Sequence, residues 1–265
     1  MIKRIIKKSV DNKKRFFAVL LAVSAISGTG AYLARNGFGG SSVYRAELFY
    51  AAPPRVSVNT AGIPVEMFAW NGDSIKIECS AELPLIILED EGEITISQDD
   101  GFAVSVFTLE VLRYRIKIWL PERRDFTEIN VTSAGGDVGI DARGLFVRRI
   151  SVTAKNGGIR IGAADSILLL NTETGNVDVD YDYFLLPTLI ETVSGDVRLS
   201  LPDYSSVSLE YSTDAGKFAS SFFPGEFDGY AGSVFAARGN YPKRLNVSTK
   251  SGDLVIEEKT ARMVL

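Results

Sequence analysis

Histidine is absent from the 265 residues of this chain. That removes Ser-His and Cys-His nucleophile pairs, His-ligated zinc and the commonest general base. Cysteine is almost absent: Cys79 stands alone, so no internal disulfide can form. It continues the alternation of Ile75 and Ile77 and reads as a half-buried thiol with no histidine to activate it. No glycine loop ends in Gly-Lys-Ser/Thr, which leaves nucleotide binding without a phosphate cradle. Beyond residue 35 no segment sustains a helical period; apolar residues alternate instead, so this part is read as all-β.

Long uncharged runs are scarce, and the main one lies near the N-terminus. Residues 16–34 carry no charge and follow Lys3, Arg4, Lys7, Lys8, Lys13, Lys14 and Arg15, which oppose a single acid, Asp11. As a helix those residues reach roughly 28 Å, near the thickness of a bilayer core. The expectation is a cytoplasmic basic flank (1–15), a transmembrane helix (16–34) and an extracytoplasmic remainder. A cleaved secretory signal is the alternative, with Thr29-Gly30-Ala31 as a small-residue cleavage site. Both export the rest of the chain. Residues 36–55, rich in Gly, Ser and Pro, read as a linker with a strand near Tyr44 to Tyr50; 56–259 as a β-repeat ectodomain; and 260–265 as a tail. The net charge is +6 over the first fifteen residues and −4 over the whole, leaving −10 for the remainder. An acidic ectodomain does not suit nucleic acid.

What the chain has in quantity is a repeat. Gly136, Gly157, Gly175, Gly195, Gly216 and Gly252 occupy the same place in six units, at spacings of 21, 18, 20, 21 and 36 residues. Two residues after them stand Val138, Ile159, Val177, Val197, Phe218 and Leu254. Five before them stand Val131, Val152, Leu170, Ile190, Tyr211 and Val247, and three before them the small residues Ser133, Ala154, Thr172, Thr192, Thr213 and Thr249. Steps of two place the apolar columns on one face of a strand. The glycines are read as structural turn residues supplying a backbone angle costly to any residue with a Cβ. Weaker copies are read around Gly72 and Gly92, and a strand without the glycine turn at Tyr114 to Leu120. Columns that recur in phase favour a β-solenoid, right-handed and parallel β-helix-like, with coils of about 20 residues. A meander folded into a β-sandwich is the alternative.

Chemistry has three candidate carriers. The position after the glycine reads Asp137, Gly158, Asn176, Asp196, Lys217 and Asp253, so that in chain order no two aspartates fall on consecutive coils; turn formation is the reading. Asp178, Asp180 and Asp182 form an acidic cluster, either a solvated strand face or a weak cation site. The stretch 218–243 is aromatic and glycine-rich. Phe222, Phe223, Phe227, Tyr230 and Phe235 are candidates for capping the solenoid end or for binding a sugar or a partner. No catalytic, metal or cofactor site is assigned.

Thr192-Val193-Ser194-Gly195-Asp196-Val197 and Thr249-Lys250-Ser251-Gly252-Asp253-Leu254 resemble the Thr-x-Ser-Gly-Asp-Val repeats of a bacterial putative-adhesin family of β-strand-repeat ectodomains. The strand Tyr114 to Leu120, closed by Pro121, is similar to the Leu-Pro strand that precedes that family's first good repeat. The resemblance covers residues 56–259. It implies a β-solenoid-like protein of the cell envelope with no catalytic residues to carry over. The functional expectation is a membrane-anchored, non-catalytic binding module, adhesin-like or envelope-sensing, whose partner is an envelope protein or glycan. A polysaccharide-active enzyme of the β-helix type and a structural spacer are the alternatives.

Overall fold

The computed structural model describes residues 45–80, 85–98, 115–162, 165–223 and 232–260. The expected basic flank and transmembrane helix, together with Phe227 and Tyr230, lie outside the described residues. Within them all regular structure is β and no helix is present.

Two ten-stranded sheets face one another. Each coil gives one strand to each sheet. In chain order, coil 1 contains Arg55–Thr60 and Val65–Trp70, coil 2 Glu93–Gln98 and Ile116–Pro121, coil 3 Glu128–Ser133 and Val138–Asp141, and coil 4 Arg149–Ala154 and Ile159–Gly162. Coil 5 contains Ile167–Thr172 and Val177–Asp180, coil 6 Thr188–Thr192 and Val197–Pro202, coil 7 Val207–Thr213 and Phe218–Ser220, and coil 8 Lys243–Thr249 and Leu254–Lys259. Neighbouring coils pair in parallel, with homologous residues opposed: Val152 faces Val131 and Leu170, and Ile159 faces Val138 and Val177. Parallel pairing fits the solenoid expectation and rules out a meander, whose successive strands would run antiparallel.

The stacking order departs from chain order at both ends. In space the coils follow 2, 1, 3, 4, 5, 6, 8, 7. The 36-residue gap before Gly252 is explained by this: the chain leaves coil 7, runs back through Gly232–Arg238 antiparallel to Val207–Thr213, and inserts coil 8 between coils 6 and 7. Beyond coil 2, Ile75–Ser80 and Leu85–Asp90 add antiparallel strands, and Arg45–Tyr50, within the expected linker, pairs outside Ile75–Ser80. The weaker repeat copies are therefore corrected. Gly92 closes an antiparallel hairpin, with φ +77, and Gly72 joins a coil strand to a cap strand. In coil 1 the turn glycine is replaced by Ile63, on whose backbone Gly136 sits.

Alternation places the branched residues inside. Val56, Ile94, Ile129, Ile150, Leu168, Leu245 and Leu209 form one buried column; Val65, Ile116, Val138, Ile159, Val177, Val197 and Leu254 face them from the other sheet. Each fully buried aliphatic side chain of this size contributes about 1.5–3 kcal/mol. Thr188 interrupts the first column, and its hydroxyl is paired with the buried Tyr181 hydroxyl at 2.8 Å. Cys79 is buried in this core rather than half-buried, and desolvation pushes its thiol up to about 11.

Candidate functional site

The repeated polar residues turn out to serve the stack itself. The aligned glycines pile up in the order Gly136, Gly157, Gly175, Gly195, Gly252, Gly216. None has positive φ; among the described glycines only Gly92, Gly144, Gly232 and Gly239 do. The expected special angle is thus corrected, and crowding takes its place. A Cβ on Gly157, Gly175, Gly195, Gly252 or Gly216 would lie within 3.0 Å of the carbonyl of the glycine on the neighbouring coil, closer than real Cβ atoms come. The small column adds hydrogen bonds that sequence reading treated only as a matter of size. Gly136, Gly175, Gly195 and Gly216 donate their N–H groups to Ser133, Thr172, Thr192 and Thr213 at 2.8–3.1 Å.

The column after the glycine is a ladder of side chain to backbone bonds. Asp137 Oδ1 accepts from Gly158 N–H, Asn176 Oδ1 from Asp196, Asp196 Oδ1 from Asp253, and Asp253 Oδ1 from Lys217, at 2.8–3.0 Å. Asp196 and Asp253 therefore do stand on consecutive coils, against the chain-order expectation, because coil 8 is inserted. Each uses an oxygen to hold the next turn, and among the described residues no group of three or more His, Cys, Asp or Glu side chains is placed to hold a metal.

The acidic cluster is neutralised from within. Asp178 lies across from Arg160, at 4.0 Å, and is paired in register with Arg198. Asp180 and Asp182 share the Lys259 ammonium, which comes from coil 8 and stands 3.3 Å from Asp182. Two coils away Arg143 grips Asp141 through Nε and Nη2 at 2.8 and 2.7 Å. That hydrogen-bonded pairing holds the Asp141 carboxyl below the usual carboxylate range and pushes the Arg143 guanidinium up, helped by Asp182 and Asp180. A row of charges thus runs along the ends of the strands of one sheet.

The aromatic candidates divide. Phe222 and Phe223 are buried, packed edge-on at 5.0 Å, and the Arg238 guanidinium lies 4.4 Å from the Phe222 ring centre while donating to the Phe222 carbonyl. They plug the end of the core and offer no surface to a ligand, which corrects a binding role for them. Phe235 is 72 % exposed on the outermost strand Gly232–Arg238. Phe227 and Tyr230 fall outside the described residues.

The most developed exposed aromatic feature was missed in the sequence. The loop after coil 5 is pinned by two buried rings, Tyr181 and Phe184, edge-on at 5.1 Å. Between and beyond these anchors the chain turns outward Asp182, Tyr183 and Leu185, the last two 56 % and 51 % exposed. Tyr204, 53 % exposed, comes from the next loop, donates its hydroxyl to the Asp182 carbonyl at 2.6 Å, and lies with its ring centre 6.2 Å from that of Tyr183. Partial desolvation, Tyr183 and Asp182 push its phenol up. The signal was available: three aromatics within Tyr181-Asp182-Tyr183-Phe184, directly after a strand, read only for their aspartate.

Among solved structures, a putative cell adhesion protein from Clostridium sporogenes is similar, with 16% identity and a TM-score of 0.51, over 81% of this chain and 99% of that one. A putative adhesin from Bacteroides fragilis is similar at 11% identity and a TM-score of 0.37, over 83% of this chain and 98% of that one. A putative lipid binding protein from Parabacteroides distasonis is similar at 11% identity and a TM-score of 0.33, over 82% and 98%. At these identities the first likeness speaks for the fold alone. No curated protein matches. The family model described as Toastrack DUF4097 matches residues 125–257, the span of the stacked glycine coils, and to that family the chain belongs.

Proposed function

We propose that this Toastrack protein is a non-catalytic binding module, adhesin-like or envelope-sensing, held by residues 16–34 on the outer side of a bacterial cell membrane. One observation carries the reading: Tyr183 and Tyr204 stand exposed as neighbours, ring centres 6.2 Å apart, on a loop edge anchored by the buried Tyr181 and Phe184. Exposed apolar rings lower solubility and are an ordinary mark of recognition surfaces. The carboxylates that an enzyme of the β-helix type would use are engaged otherwise, in the turn ladder or with Lys259, Arg160 and Arg143. The name given to one similar fold, a putative cell adhesion protein, points the same way. A partner in the cell envelope, protein or glycan, follows from this reading.

The test is retention and topology together. Full chain expressed in a bacterial host should be cleaved within 56–259 by protease added to intact cells, and solubilised chain should be retained on washed envelopes. Protection of the β-domain in intact cells would refute the outward orientation. Absence of retention would refute the binding role.

A further inference from the structure

Two aromatic faces framed by partly used charged groups suit one class of ligand better than others. A protein hot spot is a desolvated pocket ringed by contacts that exclude water. Here the rings are open to solvent and the neighbouring groups keep spare hydrogen-bonding capacity. Lys259 has three donors and spends two on Asp180 and Asp182. Arg143 has five N–H donors and aims Nε and Nη2 at Asp141. Asp182 keeps a carboxylate oxygen beyond the one that faces Lys259. A pyranose ring needs this combination: C–H faces that rest on an aromatic ring, and hydroxyls at the rim that need donors and acceptors.

We infer that Tyr183 and Tyr204 form a stacking site for a neutral pyranose chain, with Asp182, Lys259 and Arg143 as hydroxyl partners. This rests on the binding reading above and names its ligand class. The two rings belong to successive loops, their centres are 6.2 Å apart and their planes are inclined by 49°, so they offer two neighbouring faces turned relative to one another rather than one flat surface. The site is preformed. Tyr181 and Phe184 anchor the loop, the Tyr204 hydroxyl is tied to the Asp182 carbonyl, and tyrosine loses little side-chain freedom on binding. The local charge selects against acidic polysaccharides, since Asp141, Asp180, Asp182, Asp203 and Glu258 outnumber Arg143, Arg238 and Lys259 on this edge.

Full chain in detergent micelles is titrated calorimetrically with chitotetraose, cellotetraose, α-1,4-linked maltotetraose and a polygalacturonate oligomer. Binding of at least one of the three neutral oligosaccharides is expected, with polygalacturonate weaker. Tyr183→Ala should weaken it about tenfold, with the melting point within about 2 °C because the ring is exposed. Tyr183→Phe should keep it. Tyr204→Phe, which retains the ring and gives up the bond to Asp182, separates stacking from loop order: affinity should stay within about threefold. No binding of any of the three neutral oligosaccharides overturns the inference, as does binding that Tyr183→Ala leaves unchanged or equal affinity for polygalacturonate. If the oligosaccharides fail while Tyr183→Ala abolishes retention on washed envelopes, the glycan assignment falls and the binding role stands. If retention fails as well, both fall.

Discussion

Gly195→Ala adds one methyl group to the middle of the stack, and its cost follows from what that methyl meets. The new Cβ would lie inside contact distance of the Gly175 carbonyl, with Thr192 Oγ1 at 3.0 Å. Backbone cannot swing aside as a side chain can, so the turn must lift away from coil 5. Three hydrogen bonds hold it to coil 5: Asp196 N–H to Asn176 Oδ1, Ser194 N–H to the Glu173 carbonyl, and Val193 N–H to the Thr172 carbonyl, at 3.0, 2.9 and 3.2 Å. At about 1 kcal/mol each, loosening them and the turn above costs about 2–4 kcal/mol. Two controls isolate the cause. Gly62→Ala makes the same change where nothing lies within 4 Å, and its effect should stay within about 0.5 kcal/mol or be mildly stabilising. Gly195→Asn distinguishes crowding from backbone angle, because asparagine tolerates left-handed geometry better than alanine but is larger. Urea melts of the three variants read the differences. Stability of Gly195→Ala equal to wild type, or asparagine tolerated better than alanine, would refute the crowding argument.

Other consequences are open to measurement. Burial raises the Cys79 thiol from near 9 to about 11, so the native protein should react very slowly with a disulfide reagent at neutral pH and readily in urea; fast native labelling would contradict its burial. Because the unfolded thiol ionises first, this group's stability contribution is present below about pH 9 and declines as pH rises toward 11, which melts of Cys79→Ala against wild type would expose. The pairing with Arg143 lowers the Asp141 carboxyl, so its stabilisation is present above the ordinary value of about 3.9 and is lost as pH falls through the folded value; Asp141→Asn should flatten that acid limb by less than about 1 kcal/mol, since the pair is largely exposed. Phe222→Ala should destabilise by about 3–5 kcal/mol through the cavity left in the end plug, whereas Phe235→Ala should change stability by less than about 0.5 kcal/mol; equal effects in urea melts would be inconsistent with their burial.

The coil architecture was legible because stacking by translation imposes the same demand on every turn. The glycine, the small residue and the alternating aliphatics each recur for a reason that acts in every coil, so the columns appear in one sequence. Their cause was less legible. A glycine required by a neighbour's carbonyl looks the same in sequence as one required by a left-handed angle, and only Gly92 among the proposed turns has the latter. Coil order was hidden for a related reason. Coils 7 and 8 carry interchangeable column residues, Leu209 and Tyr211 against Leu245 and Val247, so composition does not say which of them lies next to coil 6. The candidate site was hidden because it obeys no repeat. Tyr183 and Tyr204 occupy loops, where the columns stop and residue identity is released from stacking.

That release makes the loop edge the place where a binding surface of the kind proposed can vary. Inside the coils the polar groups have tasks that tolerate little change: the Thr and Ser hydroxyls hold turn N–H groups, and the Asp and Asn oxygens reach the next coil. The two ends have a different task. A stack of parallel strands ends in unpaired N–H and C=O groups, which invite pairing with other chains. Antiparallel strands cover both sheets at the coil 2 end and one sheet at the coil 7 end, and at each end the chain doubles back so that coils 2 and 7, not the first and last coils in chain order, lie outermost. Coil 8 is thereby gripped from both sides by coils 6 and 7, and coil 1 by coils 2 and 3. The segments leading toward the N-terminus and the C-terminus leave from interior coils or from the cap. With core and ends so committed, the loops between sheets are the surface on which residues such as Tyr183 can change without loss of the stack.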